Sequence, residues 1–197
     1  NYLNCRNFSF ILQLLGHPIF LPVFKLTKQL GINWYKFVKT LTDYVQDNNT
    51  KGKFKDLYNS FCKESKSELF NSEKDLISFY SKTKNYKSLI KGQVGENLLG
   101  KYTAKGIIIY DDVLSAIFHI IRKNFRENSY NKEEFDLILN SSEKWLKNLY
   151  IVREIFEDKK TIRKNKILLN INFDFPNWLE NHHLPFNKFK NESKYEL

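Results

Sequence analysis

Methionine is missing from all 197 residues, position 1 included, and the chain opens inside an amphipathic stretch, Tyr2-Leu3-Asn4-Cys5-Arg6-Asn7-Phe8. Together these give the expectation that the sequence is a fragment of a longer chain. Cysteine is almost missing too. Cys5 and Cys62 stand far apart with no C-x-x-C grouping, so they cannot build a metal site by themselves. The expectation is two buried free thiols in a reducing cytoplasm, not a disulfide. Long apolar runs are absent. The most apolar stretch, Phe8 to Leu26, is broken by Gln13, His17, Pro18 and Pro22, which argues against a span of about 20 apolar residues. The first thirty residues also lack the cationic start, apolar core and cleavage site of a signal peptide. A cytoplasmic protein without a membrane partner is expected.

Acidic residues are in deficit, 22 against 32 basic ones, for a formal charge of +10. Such a balance invites nucleic acid. Yet only five of the cations are arginine, the residue that grips phosphate bidentately and reads guanine edges. The lysine excess is spread along the whole chain, which is the pattern of a solvated surface and argues against nucleic acid as the partner.

The arrangements that carry chemistry are missing as well. No Ser-His-Asp order, H-E-x-x-H or G-x-G-x-x-G occurs. His182 and His183 are neighbours whose side chains diverge, and no ligand at suitable spacing completes a zinc set. His17, before Pro18, reads as a hydrogen-bonded turn residue, and Asp111-Asp112 as a cap facing a helix dipole. From the residues alone no catalytic, cofactor-binding or metal-binding position is assigned.

Glycine is scarce, and its distribution is informative. Of seven, four lie close together, at Gly92, Gly95, Gly100 and Gly106. This glycine corner reads as a central bend between two amphipathic segments, either a packing corner or a ligand loop. Gly95 to Lys101 satisfies G-x-x-x-x-G-K. However, Tyr102 stands where a phosphate-binding loop needs Ser or Thr, with Thr103 one further on, and no buried strand precedes. A structural corner is therefore expected, with Gly106 ending a helix that reaches Lys105.

What the chain has in quantity is aromatic residues, 16% of the total with 17 Phe and 11 Tyr, enough for a core of large rings. Their spacing is mostly helical. Leu3 to Leu15 forms a stripe closed by Gly16 and Pro18. A helix over about Ile19 to Leu30 turns Phe20, Val23, Phe24 and Leu30 inward and stops at Gly31. Asn33 caps the next, which carries Trp34, Phe37, Val38, Leu41, Tyr44 and Val45 on one face. After a polar loop at 47–52 come Phe54, Leu57, Tyr58, Phe61 and Cys62. Ser72 with Asp75 opens the segment leading to the corner, and further helices start at Asp111 or Asp112 and at Asn131.

After Leu149 the pattern changes. Leu149 to Phe156 and Lys166 to Phe175 read as two strands of a hairpin, with extension of the preceding helix the alternative for the first run and the period-two series Ile167, Leu169, Ile171, Phe173 and Phe175 marking the second. Pro176 begins a short turn carrying Trp178. The expected fold is mainly α, an irregular multi-helix bundle with a small C-terminal β-hairpin. It comprises one domain over 1–186 and a polar tail at 187–197 that frays.

Several phrases resemble the C-terminal region of cobalamin-binding radical S-adenosylmethionine (radical SAM) proteins. Tyr2 to Phe8 is similar to the family's Y-x-N-S-x-x-F phrase, with Cys5 in place of serine. Asn33-Trp34-Tyr35-Lys36-Phe37 with Leu41 and Tyr44, the pair Leu57-Tyr58, and Asp174-Phe175-Pro176-Asn177-Trp178-Leu179 resemble later phrases. The resemblance implies an upstream cobalamin-binding domain and a barrel of the same chain that holds an iron-sulfur cluster and S-adenosylmethionine, with this helical region packed on that barrel. Neither the cluster motif C-x-x-x-C-x-x-C nor a cobalamin site occurs here, so no catalytic residue is carried over. The implied role is non-catalytic, shaping substrate access, with the glycine corner facing the barrel mouth. The alternative is a stand-alone basic helical module that binds nucleic acid or a protein. If the region is built to pack on a barrel, an exposed apolar patch is expected among Phe8, Ile11, Phe20 and Phe24.

Overall fold

The computed structural model describes residues 2–91, 97–125, 130–149 and 168–196. The chain is mainly α with one small antiparallel sheet. Its elements are α1 (Tyr2–Leu15), a 3-10 turn (Pro18–Phe20), α2 (Leu21–Gln29), α3 (Trp34–Gln46), α4 (Lys53–Ser67), α5 (Glu73–Tyr80) and α6 (Thr83–Ile90). There follow α7 (Leu98–Ile108), α8 (Tyr110–Asn124), α9 (Lys132–Leu149), β1 (Leu168–Ile171), α10 (Phe175–Glu180), a second 3-10 turn (Phe186–Phe189) and β2 (Ser193–Glu196).

Local chemistry sets several of the helix starts. The Asn33 side chain accepts from the Lys36 amide at 2.9 Å and the Ser72 hydroxyl from the Asp75 amide at 3.1 Å. Asn131 accepts from the Glu134 amide at 2.9 Å and Asp174 from the Asn177 amide at 3.2 Å. Each satisfies a first-turn donor that the helix itself leaves unpaired. At the other end of α2, Gly31 takes φ +70°, a conformation an L side chain resists.

The packing falls into two compact units, Asn1–Gly16 with Thr42–Ile109, and His17–Leu41 with Tyr110–Leu197. None of the three crossings between them is a linker. One is the turn after α1, one lies within α3, and one is the single residue between α7 and α8. Composition therefore shows no boundary, and the sequence reads as one domain.

In the first unit α1 packs against α4 and α7, and Phe10, Phe61 and Tyr102 meet there. Phe10 and Phe61 stack with centroids 4.5 Å apart, and Tyr102 presents its edge to Phe61 at 5.4 Å. Lys55 is buried and donates from Nζ to the carbonyls of Val45, Gln46 and Asp47 at 2.7, 3.0 and 3.0 Å, which closes the C-terminus of α3. In the second unit α8 packs on α9. Glu143 bridges them, 2.7 Å from both Arg122 and Lys147. Trp178 sits among Phe173, Phe175 and Phe186, all fully or almost fully buried.

The small sheet differs from the expected hairpin in its partner strand. β1 pairs with β2 in the register Leu168↔Glu196 to Ile171↔Ser193. Leu149 belongs to α9, and the rest of the expected first arm lies outside the described residues. The described part of the expected tail, 187–196, is thus not frayed: Phe189 is buried, and the Tyr195 hydroxyl donates to Asp174. The alternation read through Phe175 holds as strand only to Ile171. Phe173 and Phe175 stay inward because α10 begins there, capped by Asp174.

Candidate functional site

The glycine corner divides on inspection. Gly92 and Gly95 lie outside the described residues. Gly100 is in the first turn of α7, its amide donating to the Asn97 side chain at 3.1 Å. Gly106 does not end that helix, which continues to Ile108. It is buried where α1 crosses α7, and a Cβ there would stand 2.7 Å from Leu14 Cδ1. The glycine is needed for a close approach between helices, and the helix stop comes two residues later.

Lys101 does not project into a loop as a phosphate-binding lysine does. Its Nζ is 2.7 Å from Glu64 Oε1, and the Tyr102 hydroxyl donates to Glu64 Oε2, also at 2.7 Å. One carboxylate on α4 thus holds two consecutive residues of α7. Hydrogen bonding from Lys101 depresses the Glu64 pKa below its usual 4.5, more than desolvation raises it. Burial, followed by the bond to Glu64, pushes Tyr102 up to about 12. What precedes the G-x-x-x-x-G-K match is the helix α6, in place of a strand.

A carboxyl whose folded pKa lies below its unfolded one stabilises above the unfolded value, and that contribution disappears as pH falls through the folded pKa. Glu64→Gln should therefore lower the melting temperature near neutral pH. The gap to wild type should close as pH drops below about 4.5, as seen in melts across an acid series. Both partners are about a third exposed, so the neutral-pH effect is under about 1 kcal/mol. A gap that persisted at low pH would assign the effect to packing.

Near the N-terminus of α7 lies an open hollow of about 390 Å³ lined by Tyr2, Cys5, Arg6, Ser9 and Asn97–Leu99. Its cation is engaged: Arg6 lies 2.7 Å from Glu68 and donates to the Tyr2 hydroxyl at 2.9 Å. Both thiols are free. Cys5 is exposed, contrary to the expectation of burial, because position 5 faces away from the stripe of Phe10, Ile11 and Leu14. Cys62 is half-buried, and desolvation raises its pKa, so the thiol is favoured over the reactive thiolate.

The other candidates separate into local roles. His17 Nδ1 accepts from the Ile19 amide at 3.3 Å, a turn contact as expected. His182 and His183 are exposed, and Asp111 and Asp112 occupy the first turn of α8. Among the described residues no group of three or more His, Cys, Asp or Glu converges as a metal needs, and no single helix is long and apolar enough to cross a membrane.

The exposed apolar surface is not where the sequence points. Ile11 and Phe20 are fully buried; of the four residues named, Phe24 is the one that stands open, and its ring meets the edge of Trp34 at 5.0 Å. Leu76, Ile77, Phe79, Tyr86, Leu89 and Ile90 are exposed on α5 and α6, neither of which has a single buried residue. Periodicity identified these helices as amphipathic but carries no signal for what covers the apolar side. The missed clue is compositional, since the same stretch is rich in lysine and has no arginine.

No protein-family model, curated protein or solved structure matches this chain.

Proposed function

We propose that this chain is the non-catalytic helical region of a cytoplasmic, cobalamin-binding radical SAM enzyme, packing on the barrel and shaping access to it. The observation that supports this reading is the position of the phrases that carry the resemblance. Asn33 and Asp174 are helix caps and Phe37, Leu41, Tyr58, Phe175 and Trp178 are buried, while Tyr2, Cys5 and Tyr35 of the same phrases are exposed. Residues shared for architectural reasons fall at caps and in the core, whereas chance matches in an Asn-, Lys- and Phe-rich chain fall anywhere. Iron-sulfur cluster, S-adenosylmethionine and cobalamin belong, on this reading, to the upstream domains, and no residue described here is assigned to them.

The coding sequence immediately before Asn1 tests the proposal. An in-frame barrel with C-x-x-x-C-x-x-C behind a cobalamin-binding domain is the expected finding. An initiator codon directly upstream would overturn it. Titration with duplex and single-stranded DNA at two salt concentrations addresses the alternative, because affinity that falls steeply with salt marks a basic nucleic-acid module.

A further inference from the structure

We infer that α5 and α6 form a docking surface for an anionic lipid membrane, lying on its headgroups without spanning it. This goes beyond the barrel reading and does not depend on it. Each helix is eight residues long and neither buries any residue, which is unusual for short helices that ordinarily persist through packing. Between them they expose Leu76, Ile77, Phe79, Tyr86, Leu89 and Ile90, with Ile77 at 58% and Ile90 at 68%. At 3.6 residues per turn Tyr86, Leu89 and Ile90 share about a third of the α6 circumference, with Lys87 beside that sector and Lys84 on the other side. In α5, Leu76, Ile77, Phe79 and Tyr80 share one sector, which Glu73 also enters in the first turn, with Lys74 and Ser78 opposite.

Charge selects the occupant. From Glu73 to Lys91 there are five lysines, Lys74, Lys82, Lys84, Lys87 and Lys91, against the two carboxylates Glu73 and Asp75, and no arginine. A second copy would bring two surfaces of the same sign together. The central contact of a protein interface favours Arg and is depleted in Lys. Flexible lysines that keep their ammonium groups in water beside an aromatic and aliphatic face suit a fluid anionic surface, in which an amphipathic helix sinks about 5–10 Å.

Co-sedimentation with vesicles tests the inference. The 197-residue chain should bind mixed phosphatidylglycerol and phosphatidylcholine vesicles at low salt, bind phosphatidylcholine alone weakly, and dissociate as salt rises. Lys87→Gln, which removes the lysine beside the apolar sector of α6, should weaken binding roughly fivefold. Ile77→Ser with Ile90→Ser should weaken it roughly tenfold or more. These side chains are exposed, so the variants should melt as wild type does, and the single change Ile90→Ser serves if the pair does not. Lys188→Gln with Lys190→Gln, in the other unit, should leave binding unchanged. Three results would overturn the inference: no binding to anionic vesicles, equal loss with the Lys188 and Lys190 pair, or a dimer that the isoleucine changes abolish, which would make a second copy the occupant.

Discussion

Trp178→Ala is expected to remove about 3–5 kcal/mol of stability, against a total that for single domains is about 5–15 kcal/mol. The indole is fully buried, with ring centroids of Phe186, Phe175 and Phe173 at 4.7, 5.5 and 6.5 Å. Alanine leaves a void walled by rings that come from the loop after β1, from α10 and from the second 3-10 turn, and all three are fixed by further contacts. The walls cannot follow the lost volume inward, so the lost dispersion adds to the lost transfer energy. Trp178→Phe separates size from chemistry. Among the described residues the indole Nε1 is buried without a hydrogen-bond partner, so phenylalanine gives up volume while removing an unsatisfied donor. It should cost less than half of the alanine change. Urea denaturation followed by far-UV circular dichroism measures both, and equal losses for the two variants would refute the packing account.

Gly106→Val is expected to cost about 1–3 kcal/mol even though valine is the better helix former by a few tenths. Its Cβ alone would lie 2.7 Å from Leu14 Cδ1 and 3.2 Å from Cδ2, and Leu14 has no exposed surface through which to withdraw. Either Leu14 leaves its rotamer or α1 and α7 separate. Leu14→Ala should itself cost about 2–5 kcal/mol by leaving a cavity. In the double variant the valine methyls occupy that cavity, so the combined loss should be clearly smaller than the sum of the two single losses. Additive losses in the same denaturation experiment would show that the two residues do not meet.

The features that were legible in the sequence are those fixed within one helical turn. Asn33, Ser72 and Asn131 announce their helices because a cap and its amide are three residues apart. The Phe37, Val38, Leu41 and Val45 face is legible for the same reason, since its spacing is its geometry. What was not legible depends on a distant partner. Gly106 stands out as a glycine, but Leu14 lies on another helix. Glu64 looks like any surface acid until α7 brings Lys101 and Tyr102 to it. β2 has only Tyr195 to recommend it as a strand, because Ser193, Lys194 and Glu196 carry no apolar alternation; its ladder forms because β1 is already inward through Leu169 and Ile171. The α5–α6 surface has the periodicity of a core helix, and spacing cannot say whether the other side is protein, lipid or water.

The chain order of the two units has a consequence during synthesis. The apolar side of α1, with Phe10, Ile11 and Leu14, is completed by α4 and α7, and Gly106 is made 92 residues after Leu14. At the usual elongation rate of about 5–20 residues per second, α1 emerges from the ribosome and waits roughly 5–20 s for that partner. The stretch from His17 to Leu41 waits longer, for α8 and all that follows. A nascent chain of this order holds its most apolar stretch unsheltered while the remainder is translated, so its yield in cells should depend on chaperones more than its final stability suggests.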